Sequence, residues 1–285
     1  GHNLMRFSSS FKKLSSFSAS AVLLLLPAAT ALHAEWGIEG ALGANPTAYY
    51  SENLRKNNSA YQSEISGRRH ALSFAGKLHY EWVGLRILSD YYFAGSGKQK
   101  TQTSVQTAPN QGYSQQSSEQ DGVAYSAAQS YRAELQLRKF YYGHREIFAF
   151  NTGLAYRRVV TDLTGQSADY TAQSIFYRYF TFGFTFEPLL THFGRYELSL
   201  PIDFSLGLKF PEGGIFQGGG PGAVLFATGL RLQQEPRGFF LVTQGLVSFF
   251  DTPYSVNGAD YSFGQTEISV RLMAGYYFRK PLYNE

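Results

Sequence analysis

The segment 196–210 alternates without a break. Tyr196, Leu198, Leu200, Ile202, Phe204, Leu206, Leu208 and Phe210 fall on one side, and Glu197, Ser199, Pro201, Asp203, Ser205, Gly207 and Lys209 on the other. Successive side chains of an extended chain point to opposite faces, so this spacing predicts a ribbon with one apolar and one polar face. At about 3.3 Å per residue it would reach about 50 Å, too long for a strand in an ordinary soluble sandwich. Such a ribbon needs apolar surroundings along one whole side and polar surroundings along the other.

The alternation recurs in ten segments: 35–44, 69–82, 85–96, 128–141, 147–160, 173–186, 196–210, 222–233, 238–250 and 263–278. Trp36, Leu72, Phe74, Ile87, Leu135, Phe150, Phe182, Leu230 and Val270 are among the outward residues they imply. Segment 238–250 is apolar on both sides, so its facing is not set by the pattern. Short connections (83–84, 142–146, 187–195, 234–237) alternate with mostly longer ones (45–68, 97–127, 161–172, 211–221, 251–262). The fold class expected is all-β: a transmembrane, antiparallel, up-and-down β-barrel of about ten strands. Eight or twelve strands stay open, because parts of 45–68 or 120–130 could extend strands or add a hairpin.

The start of the chain is consistent with export. Arg6, Lys12 and Lys13 precede the apolar run 21–26 and small residues up to Ala34, the order of a secretory signal peptide. Cleavage after Ala31 satisfies the A-x-A form, while cleavage after Ala34 leaves Glu35 and Trp36 at the first strand and is favoured. Residues 1–4, ahead of the initiator-like Met5, are read as a remnant; 5–34 is the signal peptide, 35–278 one barrel domain and 279–285 a tail. Aromatic and charged residues each make up 16 % of the chain, and charge is well below the usual quarter. Mean hydropathy is only −0.24, as expected if half of each strand faces a polar interior. Three of the 25 basic residues lie in the leader, against 21 acidic residues, so the rest is nearly neutral and offers nothing to nucleic acid. There is no cysteine, which excludes disulfides and thiolate metal sites.

The segment Ser269–Phe278 alternates apolar residues and ends on Tyr276 and Phe278. It resembles the carboxy-terminal recognition signal of bacterial outer-membrane β-barrels, departing from it in the seven residues that follow Phe278. The resemblance is to the general class and implies residence in the outer membrane of a Gram-negative-type envelope, with both termini periplasmic. It implies as partners the surrounding lipid and lipopolysaccharide, and the barrel-assembly machinery acting on Ser269–Phe278.

The inward positions collect Lys77, Arg86, Arg132, Arg138, Arg157, Lys209, Arg231 and Arg271 against Glu39, Glu81, Asp90, Glu134, Glu197, Asp203 and Glu267. Buried charges have to be paired or hydrated, and a ten-stranded barrel has a narrow interior. Two readings follow: a lumen closed by ion pairs, or a narrow polar channel lined by them. Near-balance of sign argues against ion selectivity.

Outward Arg178, with Arg158 near it, is a candidate contact for lipopolysaccharide phosphates. Loop 97–127 is rich in Gln, Ser and Thr, which favours a mobile tip; with 45–68 it could serve an adhesin or receptor. A third possibility is a scaffold that docks a periplasmic or lipoprotein partner on its wall or turns. Enzymes do occur on such barrels: omptin-type proteases use acids and a histidine at the outer rim, and barrel lipases a Ser–His pair. Here only His70 falls at that rim, with Asp162 or Asp251 as possible acids. The expectation is therefore a small porin-like or structural barrel without enzyme activity, and without cofactor or metal.

Overall fold

The computed structural model describes residues 36–56, 61–93, 95–106, 113–125, 128–142, 145–161, 173–209, 221–234, 238–256 and 259–280. The expectations for the signal peptide, the loops 162–172 and 211–220, Asp162 and the tail after Lys280 lie outside them. Fourteen strands make up the described chain: β1 (Trp36–Lys56), β2 (Tyr61–Tyr80), β3 (Val83–Tyr92), β4 (Gly95–Gln106), β5 (Tyr113–Tyr125), β6 (Ala128–Tyr142) and β7 (Arg145–Thr161). They continue with β8 (Gln173–Phe186), β9 (Leu189–Phe193), β10 (Tyr196–Ser199), β11 (Ile202–Lys209), β12 (Pro221–Gln234), β13 (Gly238–Val256) and β14 (Ala259–Lys280).

Ten of them close a ring in the order β1, β2, β3, β6, β7, β8, β11, β12, β13, β14, the last pairing back to β1. From β1–β2 round to β13–β14, successive ring strands pair antiparallel. Closure removes the free edges that an open sheet would expose to lipid, where nothing could satisfy their N–H and C=O groups. Ile38, Leu42, Leu72, Phe74, Phe150, Leu154, Phe182, Ile268 and Leu272 stand on the outside with their side chains uncovered; Leu42 is 69 % exposed. About ten residues of β2 at a tilt near 40° rise about 25 Å, the height of a lipid-facing apolar band. Aromatics rim it at the end that carries Trp36: Trp36 on Phe278 at 5.2 Å and Phe239 on Tyr276 at 5.3 Å. Tyr91, Phe93 and Tyr131 rim the other end.

Four strands stand off the ring, and of these β10 alone lies within a segment expected as a strand, 196–210. The described residues of 97–127, expected to be a mobile loop, lie in the paired strands β4 and β5, and β4 pairs with the first residues of β2 from Tyr61 to Gly67. The longer connections 45–68 and 251–262 are likewise strand for most of their length: β1 runs to Lys56, β2 begins at Tyr61, and Val256 pairs with Ala259. These extensions carry the sheet beyond the apolar band.

The 196–210 ribbon is not continuous. Leu200 and Pro201 interrupt it, and β10 and β11 pair with different stretches of β12. Proline has no N–H to give a ladder, and the local bonds go elsewhere: Leu200 N–H donates to Pro188 C=O, and Gly229 N–H to Pro201 C=O. The segment expected as a simple turn at 187–195 instead contains β9, hairpinned onto β10 through Gly194 at φ +63°. The first tight turn also shifts. It is Glu81–Trp82 rather than Val83–Gly84, with Tyr80 paired to Val83 and Glu81 in the left-handed region at φ 49°.

β13 faces one way along its length after all. Phe240, Val242, Ser248 and Phe250 are buried inward, while Phe239 (72 % exposed) and Leu241 face out. It is apolar on both sides because Phe240 and Val242 join Ala41 in a small core inside the lumen, against Ala75, Met273 and Tyr277.

Candidate functional site: the lumen and its outer mouth

Each wall strand contributes its inward set by the period of two, and ring closure decides which sets meet. Side chains then cross the lumen at four levels. Nearest the Trp36 end, Arg231 of β12 reaches Glu39 of β1, with Nη1 and Nη2 donating to its two oxygens at 3.1 and 2.9 Å. Its guanidinium lies 4.1 Å from the Phe240 ring centroid, and Glu187 sits at 3.8 Å. His79 stacks on Tyr277 beside this group at 6.5 Å.

At the second level Arg86 of β3 and Arg132 of β6 hold Glu134 and Asp203 between them. Arg86 Nε donates to Glu134 at 3.0 Å, Arg86 Nη1 lies 2.9 Å from Asp203, and Arg132 Nη2 donates to Asp203 at 2.5 Å. Thr181 and Ser205 hydroxyls donate to the second Glu134 oxygen at 3.3 and 3.5 Å. Two cations, two anions and their hydroxyl neighbours leave this level electrically neutral.

The third level joins Arg271 of β14 to both oxygens of Asp90 at 2.8 and 2.6 Å, and Ser73 Oγ donates to the same carboxylate at 2.5 Å. At the fourth, Arg157 Nη2 of β7 donates to Glu267 of β14 at 2.7 Å. These two side chains are 3 % and 4 % exposed. β7 and β14 are five strands apart in a ring of ten, so this bridge spans the full diameter. Tyr92 OH also donates to Glu267, at 2.8 Å, and Arg157 lies between the Tyr92 and Phe250 rings at 4.8 and 4.9 Å. Above it Arg69 caps the Tyr50 ring at 3.8 Å. The space left between the levels is a chamber of about 150 Å³, lined by Leu88, Leu225, Leu246, Val242 and Met273 as well as by the arginines.

The remaining sequence candidates fall as follows. Lys77 lines the chamber. Lys209 pairs with Asp251 at 2.8 Å near the outer mouth. Glu197 lies on β10 and faces His192 at 3.5 Å, outside the four levels. Glu81 is not a lumen residue: it opens the exposed Glu81–Trp82 turn, so its side chain leaves the wall where the strand ends. The side chain of Arg138 lies outside the described set. Tyr92, Tyr50, Phe250 and Phe240 were missed as lumen residues; their signal was an aromatic at an inward position, which the outward aromatics masked.

Arg158 and Arg178 stand on the outer face of β7 and β8, where Arg178 pairs with Tyr156 and Arg158 with Phe176. Tyr156 lies against Tyr131 at 6.3 Å. His70 Nδ1 is 2.5 Å from Pro46 C=O, and Asp251 is taken by Lys209, so the rim histidine is not oriented by that acid. Among the described residues no group of three His, Cys, Asp or Glu side chains could hold a metal ion.

A closed antiparallel ring with an uncovered apolar exterior and a charged, paired interior is an outer-membrane β-barrel in fold. No family model matches the chain, and no curated protein does. Among solved structures it is similar to the outer-membrane protease OmpT of Escherichia coli, with a TM-score of 0.55 and 9 % identity over 85 % of this chain and 97 % of that one. The translocator domain of the autotransporter NalP from Neisseria meningitidis matches at a TM-score of 0.36 and 10 % identity, over 94 % of this chain and 98 % of that one. The β domain of the Bordetella autotransporter BrkA matches at 0.33 and 12 %, over 85 % and 98 %. The first of these corrects the expectation of a barrel without enzyme activity. Its fold carries a protease, so scarcity of rim histidines is no ground for setting catalysis aside. At 9 % identity the likeness is one of fold, and it assigns this chain no reaction.

Proposed function

We propose that this protein is an outer-membrane barrel with a sealed lumen, anchored by its wall and working at the surface end, where β1, β2, β4 and β5 rise past the lipid band. The observation that carries the reading is the Arg157–Glu267 bridge across the full diameter, backed by three further charged levels. An open pore would have to keep such groups apart and hydrated. Here each guanidinium is matched by a carboxylate from another strand, which favours closure. The raised sheet supports the adhesin or receptor alternative over a porin: among the described residues β5 pairs with β4 alone, and 115–122 are exposed.

In this reading the Trp36 end and both termini are periplasmic, the assembly machinery engages Ser269–Phe278, and Arg158 and Arg178 meet lipopolysaccharide phosphates at the outer leaflet. The test is single-channel conductance of the refolded protein in a planar bilayer. Silence from protein whose gel mobility shifts on heating is the expected result. Reproducible ion-conducting steps that change when Arg157 or Glu267 is replaced would overturn it.

A further inference from the structure

Near the surface end β1, β12, β13 and β14 frame a trough of about 320 Å³. Its side chains include Ser51 and Asn53 of β1, Phe249 and Asp251 of β13, and Thr266 of β14. Phe249 is 48 % exposed, so its ring is open to a ligand. The polar groups are held in place by neighbours. The Asp251 side chain is 57 % exposed while Lys209 grips its carboxylate at 2.8 Å, and Ser51 Oγ donates to Glu64 at 2.9 Å. Asn53 Oδ1 is shut off from solvent and accepts no hydrogen bond.

We propose that this trough binds a neutral saccharide, an inference that rests on the surface-recognition reading and names its ligand class. A sugar ring offers an apolar C–H face and a rim of hydroxyls. An open aromatic ring covers the first, and a fixed carboxylate and hydroxyls serve the second. The volume is at the lower end of the roughly 300–1,000 Å³ of small-molecule sites. The chemistry disfavours other occupants. All four strands are paired to both neighbours in the ring, so no free edge exists here for a peptide strand. The Asp251 carboxylate repels anions, and an acyl chain would strip that carboxylate of water.

The experiment is saturation-transfer NMR on the refolded full chain in a zwitterionic detergent, with glucose, galactose, N-acetylglucosamine, maltose and lactose as probes. At least one sugar is expected to receive transfer. Phe249→Ala should weaken its binding roughly fivefold or more. Asp251→Asn should weaken it as well, and Phe239→Ala at the opposite rim should leave it unchanged. Heat-modifiable gel mobility checks that each variant is folded, and Thr266→Ala replaces Phe249→Ala if the latter is not. No transfer to any of the five sugars overturns the proposal, as does binding indifferent to the trough variants. Either failure alongside electrically silent barrels leaves the sealed-lumen reading standing, whereas a conducting barrel removes that reading whatever the sugars do.

Discussion

Arg157 illustrates how much one side chain can hold in a lumen. It pairs with Glu267 across the diameter and is sandwiched by Tyr92 and Phe250. Removing one partner of a buried pair leaves the other charge stranded, at a cost of about 3–5 kcal/mol, whereas replacing both with apolar groups of similar volume is often close to neutral. Arg157→Met alone should therefore lower unfolding stability by about that amount. Adding Glu267→Met should recover most of it, read from urea midpoints of the refolded barrel. Equal and additive losses would mean that the two residues act separately. The outward pair Arg158 and Arg178 supports a different expectation. With both changed to Ala, the extra thermal stability gained in lipopolysaccharide-containing vesicles over plain phospholipid should shrink. If the gain is unaltered, the phosphate contact is elsewhere.

At the scale of elements, close strand approach is set by particular inward glycines. A Cβ on Gly183 of β8 would run into Phe204 C=O and Ser205 Cα of β11, and one on Gly153 of β7 into Ala133 C=O of β6. These are positions where the wall bends too tightly for a side chain, so Gly183→Ala should cost about 1–3 kcal/mol in the same unfolding assay. A neutral result would show that the wall relaxes there. The wall strands were legible because lipid on one side and charge on the other imprint a period of two on hydropathy. β4 and β5 were not. They stand beyond the lipid, carry Gln, Ser and Thr on both faces, and so leave no alternation to read. The break at Leu200–Pro201 had a visible signal, since a proline within a ring strand forfeits a ladder bond, but the strong alternation around it outweighed that sign. In the lumen the inward charges could be identified one by one. Their partners could not, because Arg157 finds Glu267 only once closure has set β7 opposite β14.

For the whole molecule the division between ring and raised sheet has a direct consequence. β3 pairs with β6 from Val83–Leu137 to Tyr92–Ala128, so the ring closes without β4 and β5. The hairpin is attached through β4 to the part of β2 between Tyr61 and Gly67, above the lipid band. Replacing 95–125 with a short Gly-Ser linker from Phe93 to Ala128 should thus leave a barrel that inserts, resists protease along its wall and keeps its heat-modifiable mobility. The four lumen levels draw no residue from the excised segment, so bilayers should remain silent as well. Only the surface end should change, becoming more open to proteolysis at 61–67, where β2 loses a partner on one side. A truncated chain that fails to insert would mean the raised sheet templates the ring. A chain that inserts but conducts would mean that the hairpin, rather than the ion-pair levels, is what seals the lumen.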